Sequence, residues 1–142
     1  MEFSYNFHDI FKFTIKTNNK EIKDWFDREL HLFKDESNKN SDLVIEIKNI
    51  EFSKDFYEIK DVYISKDKNT LIKRIPAKII GKKKDFVFKF YDIIEKKPTK
   101  VITNCDNPNY LQHQIIENFM RYKAGFKNCA LIHGACFGKG NN

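Results

Sequence analysis

Residues 86–90 read Phe-Val-Phe-Lys-Phe, and this alternation decides the fold class. Successive side chains of a strand point to opposite faces, so Phe86, Phe88 and Phe90 share one face while Val87 and Lys89 share the other. The phenylalanine face is expected to cover a core. Period two extends outward from this stretch. Before it, Leu43, Ile45 and Ile47 alternate with Val44 and Glu46, Val62 and Ile64 precede a Lys66-Asp67-Lys68-Asn69 turn, and Leu71 to Ile75 and Ala77 to Ile80 follow; after it comes Lys100 to Thr103. From Asp42 to about Thr103 the pattern predicts a meander of mostly antiparallel strands. Pro76 and Pro98 are expected at edges or turns, because proline cannot donate to a central ladder.

The flanks add an opening strand pair and two helices. Phe3, Tyr5 and Phe7 alternate on one segment and Phe11, Phe13 and Ile15 on the next, with His8-Asp9 between them as a turn. Asn18 or Asn19 can cap a helix in which Ile22, Trp25, Phe26, Leu30 and Phe33 recur at three- and four-residue spacing, leaving Lys23, Asp24, Asp27 and Arg28 outward. That helix is predicted to end near Phe33, and the polar stretch Lys34 to Ser41 reads as a loop. Asn107 is a good N-cap, Pro108 suits the first helical position, and Leu111, Ile115, Phe119 and Tyr122 form a stripe widened by Ile116 and Met120 before Gly125 closes the helix.

Composition bounds the class. A chain of 142 residues, 41% apolar, with fourteen phenylalanines, buries a real core and fits one domain. No run approaches about eighteen uncharged apolar residues and the N-terminus lacks a signal-peptide layout, so no membrane partner is expected and the cytoplasm is the expected compartment. Cys105, Cys129 and Cys136 form no CxxC and read as reduced thiols. The net charge of +6 comes almost wholly from dispersed lysines interleaved with acidic residues, so specific nucleic-acid binding is not expected.

Few residues stand out as chemistry. Lys82-Lys83-Lys84, after Gly81, reads as a solvated hairpin tip, with an anion patch as the alternative. Gly134 to Gly140 resembles a phosphate loop only superficially: three residues rather than four precede Gly138-Lys139, and Gly140 stands where magnesium needs Ser or Thr. Cys129 and His133 share one strand face and Cys136 takes the other, which argues against a metal site. His133, beside Gly134, is open to two readings, a core histidine bonded to a carbonyl or a site residue facing a ligand. His8, His31 and His113 sit at a turn, a helix surface and a helix flank, and no nucleophile-base set is evident.

The last fourteen residues, Cys129 to Asn142 (CALIHGACFGKGNN), read as an apolar strand entering a glycine-rich hairpin whose return strand is missing. Residues from Tyr110 to Phe137 (YLQHQIIENFMRYKAGFKNCALIHGACF) resemble the segment just upstream of the phosphate loop in HPr kinase/phosphorylase-like proteins. The resemblance covers about a fifth of the chain. It implies a helix leading to a strand with a His-Gly pair, here His133-Gly134 near the nucleotide, then a hairpin and a Walker A strand beyond Asn142. It further implies ATP and Mg2+ for a full-length relative, which would phosphorylate a serine of a small protein or peptide.

The expectation is therefore an α+β fold: a mostly antiparallel sheet, two packed helices and an incomplete C-terminal strand-hairpin. Residues 1–106 form the β region with one helix, for substrate or effector binding, and residues 107–142 begin a catalytic-type domain. Function is expected to be that of the N-terminal part of an HPr kinase-like serine kinase, not catalytic alone, with no catalytic residue, metal or cofactor of its own and a C-terminal P-loop domain as its missing partner. The alternative is a standalone basic α+β binding module with weak, sequence-indifferent binding of nucleic acid or protein.

Overall fold

The computed structural model describes residues 1–37, 40–50, 56–59, 62–65, 69–79, 81–91 and 99–126. The chain opens as a hairpin of β1 (Glu2–Phe7) and β2 (Phe11–Lys16), paired in register from Glu2 opposite Lys16 to Phe7 opposite Phe11. His8 and Asp9 both take positive φ (51° and 59°) at the turn, and the Asn6 side chain accepts the Asp9 N–H at 2.9 Å, which fixes that conformation.

Asn19 caps α1 (Lys20–Glu29), accepting the Glu21 N–H at 2.9 Å. Ile22 and Phe26 are buried, with Trp25 and Leu30 packed beside them. The helix stops at Glu29, earlier than its apolar spacing predicts, and a 3-10 turn over His31–Phe33 brings Phe33 within 4.5 Å of the Phe7 ring. The predicted loop after it instead begins with β3 (Lys34–Asp35), a two-residue strand against Ser4 and Tyr5 of β1.

The remaining strands are β4 (Leu43–Ile47), β5 (Phe56–Ile59), β6 (Val62–Ser65), β7 (Thr70–Ile79), β8 (Lys82–Tyr91) and β9 (Thr99–Thr103). Among the described residues they form one sheet in the order β3-β1-β2-β4-β9-β8-β7-β6-β5. Most pairings are antiparallel, as the meander predicts. The exception is at the centre, where β2, β4 and β9 run parallel. Returning from β2 to β4 through α1 is a crossover connection, and a crossover delivers parallel strands where a hairpin cannot.

Pro76 lies inside β7 but, as expected, at an edge: among the described residues no strand pairs with β7 on its outer side there. The Val87 N–H donates to the Asn104 side chain at 2.8 Å, and Asn104 in turn donates to the Asp85 carbonyl at 3.3 Å, both away from β7. Arg74 opposite Val87 and Pro76 opposite Asp85 are therefore non-hydrogen-bonded pairs. The proline nitrogen faces the outer edge, where a missing N–H costs no ladder bond.

Both helical segments cover the phenylalanine face. Asn107 caps α2 (Pro108–Leu111), accepting the Tyr110 N–H at 3.1 Å; a π turn over Gln112–Ile116 then leads into α3 (Glu117–Phe126). A π turn inserts one extra residue, so the buried stripe advances by one beyond it. Leu111, Ile115, Ile116, Met120 and Ala124 are buried, whereas Tyr122, expected on the stripe, is 63% exposed. Gly125 lies inside α3 rather than closing it. Leu111, Ile115, Ile116 and Met120 join one core with Phe3, Tyr5, Phe13, Phe26, Leu43, Ile45, Phe86 and Phe88. No helix among the described residues is long and apolar enough to cross a membrane.

Candidate functional site

His133 and Gly134, with Cys129, Cys136, Pro98 and the C-terminal hairpin, lie outside the described residues. The lysine run opens β8 directly after the Gly81 turn, with Lys82 opposite Ile79, Lys83 opposite Lys78 and Lys84 opposite Ala77. Lys83 and Lys84 are exposed. Lys84 is nevertheless engaged: its Nζ lies 2.6 and 2.8 Å from the two Asp106 oxygens and 5.5 Å from the Phe86 ring centroid. The run thus does not act as three equivalent cations. His8 sits edge-on to Phe33, His31 meets the Arg28 carbonyl, and His113 pairs with Glu117 at 2.9 Å. Each of these three imidazoles has a local structural partner.

Two recesses lie at opposite ends of the parallel strands. At the carboxyl ends of β2 and β4, an open cleft of about 540 Å³ is lined by Met1, Glu2, Lys16, Thr17, Asn18, Glu46, Ile47 and Lys48. Open parallel sheets take ligands beyond the carboxyl ends of their strands, so this is where the topology favours a site. Lys16 pairs with Glu2 at 3.1 Å, and Glu46 with Lys48 at 3.0 Å and Lys100 at 3.4 Å. The hydrogen bond from Lys48, joined by one from Lys100, outweighs burial and holds the Glu46 carboxyl below the usual carboxylate range. Each carboxylate of the cleft is thus engaged, Glu2 by one lysine and Glu46 by two. The β2–α1 turn, Thr17-Asn18-Asn19, carries no glycine that would let a backbone approach a pyrophosphate.

At the amino ends, a recess of about 330 Å³ is lined by Asn6, Asp9, Lys12, Asp35, Ser37, Asn40 and Asp42. Lys12 is its buried centre. Its Nζ lies 2.8 Å from Asp35 Oδ2, with side-chain exposures of only 8% and 12%, and donates to Ser37 Oγ at 3.3 Å. The lysine hydrogen bond, helped by the Ser37 hydroxyl and N–H, pulls the Asp35 carboxyl down to about 2. Asp42 ties four elements together. It accepts the Lys12 N–H at 2.9 Å, donates its own N–H to the Lys12 carbonyl at 2.8 Å, accepts the Thr99 N–H at 3.1 Å and pairs with Lys123 of α3 at 3.3 Å. Ser4, Thr14 and Ser41 add a hydroxyl chain beside it, with contacts of 2.7 and 2.5 Å.

A second polar anchor crosses the core. The Tyr5 hydroxyl donates to Asp27 Oδ1 at 2.8 Å, and Lys23 bonds the other Asp27 oxygen. Burial, then the bond to Asp27, pushes the Tyr5 phenol far above its ordinary range. Burial raises the Asp27 carboxyl, but the bonds from Lys23 and Tyr5 outweigh it and leave it lowered. Asp27, expected to face outward, is thus half-buried and ties α1 to the sheet. Cys105 is fully buried, and desolvation lifts its thiol to about 11, which makes it a poor nucleophile.

The chemistry available follows from these partners. In the amino-end recess each charged group already has an internal partner, so the recess holds Asp35, Ser37 and Asp42 against the sheet. Among the described residues no cluster of His, Cys, Asp or Glu has the makings of a metal site. Nothing in the sequence signalled the Lys12-Asp35-Asp42 network, because a lysine at the polar phase of a strand reads as solvated. Comparison with protein-family models, curated proteins and solved structures returned no match.

Proposed function

We propose that this chain is the N-terminal part of an HPr kinase-like, ATP-dependent serine kinase and is not catalytic by itself. The observation that carries this reading is the seat of the segment bearing the resemblance. From Asn107 to Phe126 it is a capped helix whose Leu111, Ile115, Ile116 and Met120 share the core of the sheet. A strand leaving Phe126 would start from a rigid support, as a nucleotide-binding strand requires if its loop is to be positioned for phosphoryl transfer. His133 and Gly134 would lie near the nucleotide. ATP and Mg2+ would be held by a C-terminal P-loop domain, and the β region would engage a small protein or peptide substrate, or an effector.

The reading is tested by extending the polypeptide past Asn142. An apolar strand and G-x-x-x-x-G-K-S/T within roughly 25 residues is expected, the length of a hairpin strand plus its loop. The longer protein should bind ATP-Mg2+, and the 142-residue chain should give no saturable calorimetric signal. Micromolar nucleotide binding by the short chain, or a stop codon directly after Asn142, would overturn the proposal.

A standalone basic module is the second reading. It is favoured by the net charge of +6. Against it stand the pairing of Lys12, Lys16, Lys48, Lys84 and Lys100 with carboxylates and the burial of Phe86 and Phe88, which leaves those rings no base to stack on.

A further inference from the structure

Among the described residues Lys78 and Lys83 stand outside this pattern of cancellation, as Lys20 and Lys73 do singly, and they alone of these four face each other across a strand pair. Among the described residues β6 pairs with β7 through Leu71–Lys73 alone, and β9 with β8 through Phe88–Tyr91 alone. Among the described residues, Arg74–Ile79 and Lys82–Val87 therefore pair with each other alone, as a two-stranded ribbon about 20 Å long at about 3.4 Å per residue. Its inner face carries Ala77 and Phe86 into the core, with Phe86 5.2 Å from Tyr110. Its outer face carries Arg74, Pro76 and Lys78 on one strand and Val87, Asp85 and Lys83 on the other; Val87 is buried and Arg74 half-buried, so the accessible part is Pro76, Lys78, Lys83 and Asp85.

Asp85 leans toward Arg74, at 4.0 Å. Lys78 and Lys83 stand directly opposite each other, both exposed, and among the described residues neither has a carboxylate within ion-pair distance. Like charges directly opposite on a sheet destabilise it. The ribbon thus keeps an electrostatic cost that two acidic groups would relieve.

We propose that the outer face of the β7–β8 ribbon, centred on Lys78 and Lys83, is a docking surface for a short acidic segment of another protein. Three observations select that occupant. The unneutralised footprint is short, because Asp85 bounds it on the ribbon and Glu46 neutralises Lys100 further across the sheet. A nucleic acid gains affinity from many phosphate contacts, and here it would find about two. The phenylalanines point to the opposite face, so no ring is offered to bases. Strand addition at the β7 edge is disfavoured, because Pro76 supplies no N–H there and Lys78 charges it. Side-chain ion pairs to a flanking peptide are what remain. The inference goes beyond the kinase reading and does not depend on it.

The test is a fluorescence-anisotropy titration of the full chain with a labelled octapeptide of Asp and Glu, its Asn/Gln counterpart, and a short oligothymidylate. The acidic peptide should bind at low salt, the neutral one should not, and the complex should weaken as salt shortens the screening length. Lys78→Glu with Lys83→Glu should lower affinity at least about tenfold, whereas Lys16→Glu with Lys100→Glu should change it little. Lys78→Glu alone should raise the thermal midpoint, by converting a like-charge pair into an opposite one, while still weakening the peptide; loss of binding is then not loss of fold. Peptide binding that is absent, or unchanged by the ribbon substitutions, would overturn the proposal. So would oligothymidylate binding more tightly than the peptide, which would make the face a nucleic-acid surface instead.

Discussion

Removing one partner of the Lys12–Asp35 pair should destabilise the protein far more than removing both. The ion pair spans 2.8 Å with exposures of 8% and 12%, so neither charge is rescued by bulk water when the other is deleted. In Asp35→Leu the lysine keeps only the Ser37 hydroxyl. Breaking a buried pair on one side costs about 3–5 kcal/mol, and the recess mouth places this case near the lower bound, about 3 kcal/mol. In Lys12→Met the stem packing survives and Asp35 retains the Ser37 N–H at 2.8 Å, so a smaller loss of about 2 kcal/mol is expected. The double variant should fall within about 1 kcal/mol of the parent, because an apolar pair replaces an ion pair at little net cost. Urea unfolding followed by the fluorescence of Trp25, whose ring lies 4.9 Å from Phe26, gives all four corners of the cycle. The pH dependence carries the same signature. Asp35 is held at about 2, below its ordinary carboxylate value, so its contribution is full above about 4 and disappears as pH falls through 2. Asp35→Asn should flatten that limb. Additive single and double effects, or single losses under about 0.5 kcal/mol, would refute the account of the recess as a structural network.

Tyr5→Phe should cost about 1.5–2 kcal/mol, since the lost bond is to a charged acceptor; ultraviolet pH titration should show one tyrosine of the native parent resisting ionisation, with that part of stability lost as pH climbs past about 10. Gly81 has φ +75° with open space where a side-chain carbon would stand, so Gly81→Val should lose about 1–2 kcal/mol from backbone strain alone and Gly81→Asn less, read by thermal melting. Native Cys105 should remain unmodified by thiol reagents at about pH 8, by peptide mapping, and become reactive in denaturant; modification at the rate of a free thiol would contradict its burial.

The alternation of Phe86, Phe88 and Phe90, the opening hairpin, a first helix capped by Asn18 or Asn19 and a second capped by Asn107 were all legible, because each rests on local rules of pleat, turn and helix start; the structure settles the first cap as Asn19. The parallel centre was not. Which strand lies beside β2 depends on α1 folding back over the sheet, and no local pattern of β4 distinguishes a parallel neighbour from an antiparallel one. The edge position of Pro76 was legible, but the continuity of β7 through it was not, because the long pairing with β8 that carries the strand from Thr70 to Ile79 joins residues distant in sequence. The stripe of the second helix was read at α-helical spacing, and one π turn moved Tyr122 into solvent and Ala124 into the core.

By itself the sequence determined the α+β class, the apolar face of the opening hairpin and of Phe86 and Phe88, and where both helices begin, since periodicity and capping act over a few residues. Only the tertiary structure decided which charges are free. Lys12, at the polar phase of β2, became buried because Asp35, Ser37, Asn40 and Asp42 gather around it, and Lys84, part of an apparent basic run, was neutralised by Asp106. Lys78 and Lys83 became neighbours because hairpin register set them opposite one another. Charge acts through space over a few ångströms, and the distances that matter are created by pairing and packing rather than by order along the chain.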